Sequence, residues 1–167
     1  MSNINDTWDL THMFQDAAEW RSSLEEAKNL TKALSAMQGT ITNDADTLYQ
    51  ALKMNDDLGE KLTALFVYSK MYFDQNMSNS EAKDLYETAD SVYTAIAEQL
   101  SFLEPELLEL TPEIFAGYVE QKPELKLYNV MMDGLFEQKA HIFNQQIEEI
   151  LSKWVHWATP LKKSMTI

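Results

Sequence analysis

Cysteine is missing from this chain of 167 residues, so it can form neither a disulfide framework nor a thiolate metal site. Glycine and proline number 4 each, too few for a fold built on many tight turns, such as a β-barrel. Bases are scarce: 13 Lys and Arg stand against 27 Asp and Glu, a formal net charge of −14. That balance repels a polyanion, and no nucleic-acid partner is expected. The plain reading of the charge is solubility; attraction of cationic peptides is the sharper one. Histidine is rarer still, with His12, His141 and His156 the whole supply. No run is long and apolar enough to span a bilayer, so no membrane partner is expected. The opening Met1-Ser2-Asn3-Ile4-Asn5-Asp6 has neither the basic segment nor the apolar run of a secretory signal. A cytoplasmic location is expected, and the glycosylation-type matches at Asn5, Asn29 and Asn76 then read as chance.

What is present is helical period. The length suggests one domain, or one and a fraction, with a core that needs no staples. Asp16 can cap a helix on which Trp20, Leu24, Ala27, Leu34 and Met37 share a face, with Gly39 as its stop. Asn43 or Asp44 can cap the next, with Ala45, Leu48 and Leu52 inward, and Asn55-Asp56-Asp57 interrupts it. A helix over about 57–75 carries Leu58, Leu62, Leu65, Phe66, Tyr72 and Phe73 on one stripe. Val67, Tyr68 and Met71 lie on its other sides, which predicts a central place in the bundle. Ser78-Asn79-Ser80-Glu81 has capping-box spacing. The helix after it, about 79–103, repeats apolar residues by three and four from Ala82 to Leu103, so Tyr93 and Ile96 are expected inside and Glu98 outside.

Beyond that the elements shorten. Pro105 biases Glu104 away from helical geometry and predicts the end of the long helix there. Thr111-Pro112 is an N-cap followed by proline at the first helical position, starting a helix to about Val119. Pro123 starts another with Leu125, Tyr128, Val130, Met131 and Leu135 apolar, and Asn144 can cap a last one with Ile147, Ile150 and Leu151 inward. The fold class is all-α, a bundle of about six to seven helices.

Several short motifs then fall in a recognisable order. They are Trp8-Asp9-Leu10-Thr11-His12-Met13-Phe14; Asp16 with Trp20; Leu65-Phe66-Val67-Tyr68-Ser69; and Tyr72-Phe73-Asp74-Gln75-Asn76. Next come Leu100-Ser101-Phe102 with Glu104-Pro105-Glu106-Leu107-Leu108, then Pro123-Glu124-Leu125 with Tyr128, and finally Lys139-Ala140-His141. Together they resemble the N-terminal helical region of oligoendopeptidase F, a zinc metallopeptidase of the thimet-oligopeptidase-like family. The resemblance implies part of the wall of a larger helical, channel-forming fold whose zinc lies in a later catalytic region. It implies residues 1–153 as a family-like helical domain and 154–167 as an atypical tail. The parent activity it implies is zinc-dependent cleavage of short peptides in the cytosol.

The chemistry of that family needs two His one helical turn apart, as H-E-x-x-H, with a third ligand and a Glu base. No two of the three His stand at that spacing. Glu137 and His141 are four apart without a second His, and Asp9-x-x-His12 occurs once and outside a long helix, where a di-iron bundle needs paired Glu-x-x-His motifs. His141 reads as a capping or hydrogen-bonding residue at a loop. There is no G-x-S-x-G elbow and no Gly-rich phosphate loop. The expectation is therefore no catalytic, cofactor-binding or metal residue, no zinc or other cofactor in this chain, and no enzyme activity alone. Phe66, Tyr68, Tyr72, Phe73, Tyr86 and Tyr93 read first as core and second as a peptide groove. Trp154, Trp157, Lys162 and Lys163 read first as a loosely docked tail and second as a membrane-interface cluster. The partners expected are a second copy, the missing catalytic region, or a peptide. The alternative function is a non-enzymatic helical interaction module.

Overall fold

The computed structural model describes residues 8–158, and every regular element among them is a helix. Two compact units form, Met1–Leu107 and Leu108–Ile167. The first holds α1 (Ala17–Ser35), α2 (Ala45–Gln75), α3 (Ser80–Gln99) and the short α4 (Leu103–Leu107). The expected all-α class stands, as does the central place of the third predicted helix. Helix α2 packs on both α1 and α3, and those two also touch each other.

Local chemistry sets where these helices start. The Asp16 carboxylate accepts from the Ala18 and Glu19 N–H groups, each at 2.9 Å, and so satisfies two donors that the first turn leaves open. Asp44 does the same for Thr47 N–H at 2.8 Å. At α3 the cap is Asn79 rather than Ser78: its side-chain oxygen accepts from Glu81 and Ala82 N–H. Behind the caps the apolar stripes close. Trp20, Leu24, Ala27 and Leu34 of α1, Leu58, Leu65 and Tyr68 of α2, and Leu85, Ala89 and Ile96 of α3 are all buried. Each fully buried Leu contributes about 2 kcal/mol of transfer free energy. The Trp20 indole N–H is not orphaned by its burial, since it donates to the Leu65 carbonyl at 2.9 Å.

Four expectations are corrected in this unit. Helix α2 runs unbroken through Asn55-Asp56-Asp57. Asp56 and Asp57 face solvent, and the Lys53–Asp57 pair at 3.2 Å spans one turn of the same helix. Met37 and Gly39 lie in the turn after α1, where Gly39 takes a φ of +80° that L side chains rarely adopt. The helix expected over about 79–103 stops at Gln99, and Pro105 sits inside α4 instead of ending it. A proline in the first turn removes an N–H that has no intrahelical partner there. Finally, Tyr93 is 56% exposed although Ile96 on the same helix is buried.

The second unit contains α5 (Pro112–Gln121), a 3-10 helix (Pro123–Tyr128) and α6 (Asn129–Ala158). Thr111 caps α5 through Ile114 N–H, with Pro112 at its start as expected. Phe115, Leu125, Tyr128 and Met132 are buried, and Phe115 meets Phe136 edge-on at 6.2 Å. No helix starts at Asn144, because α6 continues through it. With no Gly or Pro between Leu135 and Lys153, the continuing backbone hydrogen bonds outweigh the capping preference of one Asn. Ile147, expected inside, is exposed, as are the apolar Val130 and Met131; Met132 turns inward. Residues 154–158 of the expected tail continue α6, and the rest of it, with Lys162 and Lys163, lies outside the described residues.

Candidate functional site

The residues with chemical potential do not converge. In the turn before α1 the Asp9 carboxylate accepts from Thr11 N–H at 3.0 Å and Thr11 Oγ1–H at 2.6 Å. Those bonds hold its pKa below the usual carboxylate value. His12 Nε2 stands 3.8 Å from Asp9, with both side chains open to solvent. His141 is not at a loop: it lies on the exposed face of α6, one turn after exposed Glu137. The side chain of His156 lies outside the described residues. Among the described residues no three His, Asp or Glu side chains gather in a way that could hold a metal ion. Zinc takes three or four converging ligands, and the described residues offer no such set.

The recurring motifs do meet one another, as scaffold. Gln75 Nε2–H donates to the Trp8 carbonyl at 2.8 Å, joining the end of α2 to the start of the described chain. In Glu104-Pro105-Glu106 the buried Glu106 carboxylate reaches back to the α1–α2 turn. It accepts from Gly39 N–H at 2.9 Å and Ile41 N–H at 2.8 Å. Lys139 donates from Nζ to the carbonyls of Leu108 and Leu110, so Lys139-Ala140-His141 ties down the segment that precedes α5. Sequence reasoning missed both roles. Each pairs residues dozens of positions apart, and a lone Glu or Lys carries no local signal of a distant partner.

The six aromatics divide. Tyr68 is buried and meets Phe14 edge-on at 5.2 Å; loss of hydration pushes its hydroxyl pKa up. Phe73 stacks on Tyr86 at 5.7 Å, and Phe66 leans on the same ring at 5.8 Å. Lys70 Nζ lies 5.6 Å from the Tyr86 centroid and 2.6 Å from Asp74, whose hydrogen bond raises the lysine pKa. These are packing roles. Tyr93 alone stands out, over a surface groove between α2 and α3 that opens as two continuous hollows of about 350 and 270 Å³. Leu62, Thr63 and Tyr93 line both hollows. Among the described residues no helix is long and apolar enough to cross a membrane.

Comparison with known proteins follows the same line. The family model described as Oligopeptidase F matches residues 106–154. Oligopeptidase PepF of Bacillus subtilis is 30% identical over 148 residues, which is 89% of this chain and 22% of that protein. The chromosomal oligoendopeptidase F of Lactococcus lactis subsp. cremoris is 33% identical over 144 residues, 83% of this chain and 23% of its own length. The crystal structure of oligoendopeptidase-F from Enterococcus faecium superposes with a TM-score of 0.67 at 23% identity, covering 75% of this chain and 25% of that one. The chain thus spans about a quarter of the length of the relatives it matches. On these matches the chain belongs to the oligoendopeptidase F family, of which it carries the N-terminal helical region.

Proposed function

We propose that this chain is wall and scaffold for a zinc-dependent peptidase that cleaves short peptides, and that it does not cleave peptides by itself. The observation that carries the reading is the extent of the match. Most of this chain aligns with about a quarter of proteins named as oligopeptidases, and its own long-range side-chain hydrogen bonds hold helices and turns together. The groups that hydrolysis needs, a zinc ligand set and a base, have no counterpart in its three histidines. The remainder of such a longer chain is then the natural cover for the exposed Leu127 and Val130 of the second unit. In its absence a second copy takes that place.

The test is a quenched-fluorescence peptide assay on the purified chain, with and without added zinc. No turnover above background is expected, and about one equivalent of bound zinc after dialysis is not expected either. Chelator-sensitive cleavage that scales with the amount of this chain would overturn the scaffold reading. The coding sequence that follows supplies an independent check: an H-E-x-x-H there places the chemistry downstream.

A further inference from the structure

Six basic side chains of the first unit are already engaged. Arg21 meets Glu81 and Asp84, Lys28 meets Glu25, and Lys53, Lys61, Lys70 and Lys83 each pair with an acid. Asp90 is different. Its carboxylate forms no ion pair among the described residues, yet it lines the hollow between α2 and α3 beside Leu62, Phe66, Val67 and Tyr93. No Lys or Arg lines either hollow. Asp90 is exposed, so it attracts a cation as a surface carboxylate does, and the apolar neighbours add contact for the stem of a long basic side chain.

The same molecule shows what such a pair holds. On α2, Lys70 sits against the Asp74 carboxylate and over the Tyr86 ring. On α3, Asp90 and Tyr93 lie three residues apart, and thus on one helical face, with no cation present. Tyr93 is 56% exposed and Val67 38% exposed, so both ring and aliphatic floor are open to a visitor. A hollow of about 350 Å³ is the size that takes side chains of a short segment.

We propose that the α2–α3 groove binds an extended peptide segment carrying a basic side chain. The Arg or Lys cation meets the Asp90 carboxylate and the face of Tyr93, and the neighbouring aliphatic residue lies on Leu62, Val67 and Ile96. Arginine is the better fit, because its flat cation both stacks on a ring and pairs with a carboxylate. The site is independent of the peptidase reading, since it concerns binding and leaves the peptide intact.

Fluorescence anisotropy on the intact chain tests it, with a labelled short peptide holding one arginine between leucines and the same peptide with neutral citrulline instead. The arginine peptide should bind about tenfold more tightly, with the advantage shrinking at high salt. Asp90→Asn should abolish that advantage, and Tyr93→Ala should weaken the arginine peptide about threefold. Glu98→Gln, exposed on the same helix but outside the groove, should change neither affinity. Both groove positions are exposed, and circular dichroism checks that the variants fold. Equal binding of the two peptides, or no binding, overturns the proposal. So does an equal loss in Glu98→Gln, which would make the attraction diffuse net charge. A dimer by light scattering that Tyr93→Ala dissociates, without peptide binding, overturns it as well and gives the groove to a second copy.

Discussion

Ile96 is 6% exposed on α3, whereas Glu98 two residues on faces solvent. Ile96→Asp puts an unpaired carboxylate into the core and removes an apolar group, a loss of about 3–5 kcal/mol that lowers the melting temperature by roughly ten degrees or more. Glu98→Asp should leave the melting curve in place; equal curves for the two variants would show that the buried face is wrongly assigned. The stripe that predicts Ile96 inside also predicts Tyr93 inside, and there it fails. A helical period locates the centre of an apolar face well and its margins poorly, because the margin depends on how wide a neighbouring helix covers it. Glu106 lay beyond sequence reasoning altogether: its partners, Gly39 and Ile41, stand 67 and 65 residues away. Glu106→Ala strands two N–H donors, one of them buried, and should cost about 2–4 kcal/mol, read as a shift in the denaturant midpoint at unchanged slope.

Where elements begin was legible at Asp16, Asp44 and Thr111-Pro112, because a cap needs only a short side chain and the next three residues. Where they end or continue was less so. Asn55-Asp56-Asp57 and Asn144 look like breaks by residue type, but packing of Leu52 and Leu58 keeps α2 whole around the first, and continuing backbone hydrogen bonds keep α6 whole at the second. The cap at Asp44 also ties stability to pH. Hydrogen bonds from the N–H and hydroxyl of Thr47, at 2.8 and 2.9 Å, hold its folded pKa below the ordinary 3.8. Its contribution is therefore complete above the unfolded pKa near ~4 and is lost as the pH falls through the depressed folded value. Asp44→Asn keeps an acceptor for the helix start without the titration. Melting temperatures measured across about pH 5 to 2 should fall less steeply for that variant than for the parent chain. Parallel curves would remove Asp44 from the acid response.

At the scale of the molecule, a hydrophobic cluster runs from Leu10 to Leu100, inside the first unit. Residues 1–107 should thus fold alone, with a helical circular dichroism spectrum and one cooperative thermal transition. A featureless spectrum for that piece would mean that its core needs the following helices. The family was legible because several short runs stand in order along the chain, and some of them meet in the fold, as Gln75 does with Trp8. The division at Leu107 was not, since it depends on which helices share neighbours, a property no single stretch of sequence displays. The groove beside Tyr93 was hidden for the same reason.

The Glu106 clasp has a consequence in time as well as in strength. The amides of Gly39 and Ile41 belong to a turn between two helices, a setting where protons ordinarily trade with solvent quickly. Here their acceptor is a largely buried carboxylate carried by α4, which is anchored by Leu103 and Leu107. Their deuterium uptake should be slow and should match each other's, because both are freed by one event, the lifting of α4 from the turn. Two protons near the first quarter of the chain become a clock for the opening of a five-residue helix near its two-thirds point.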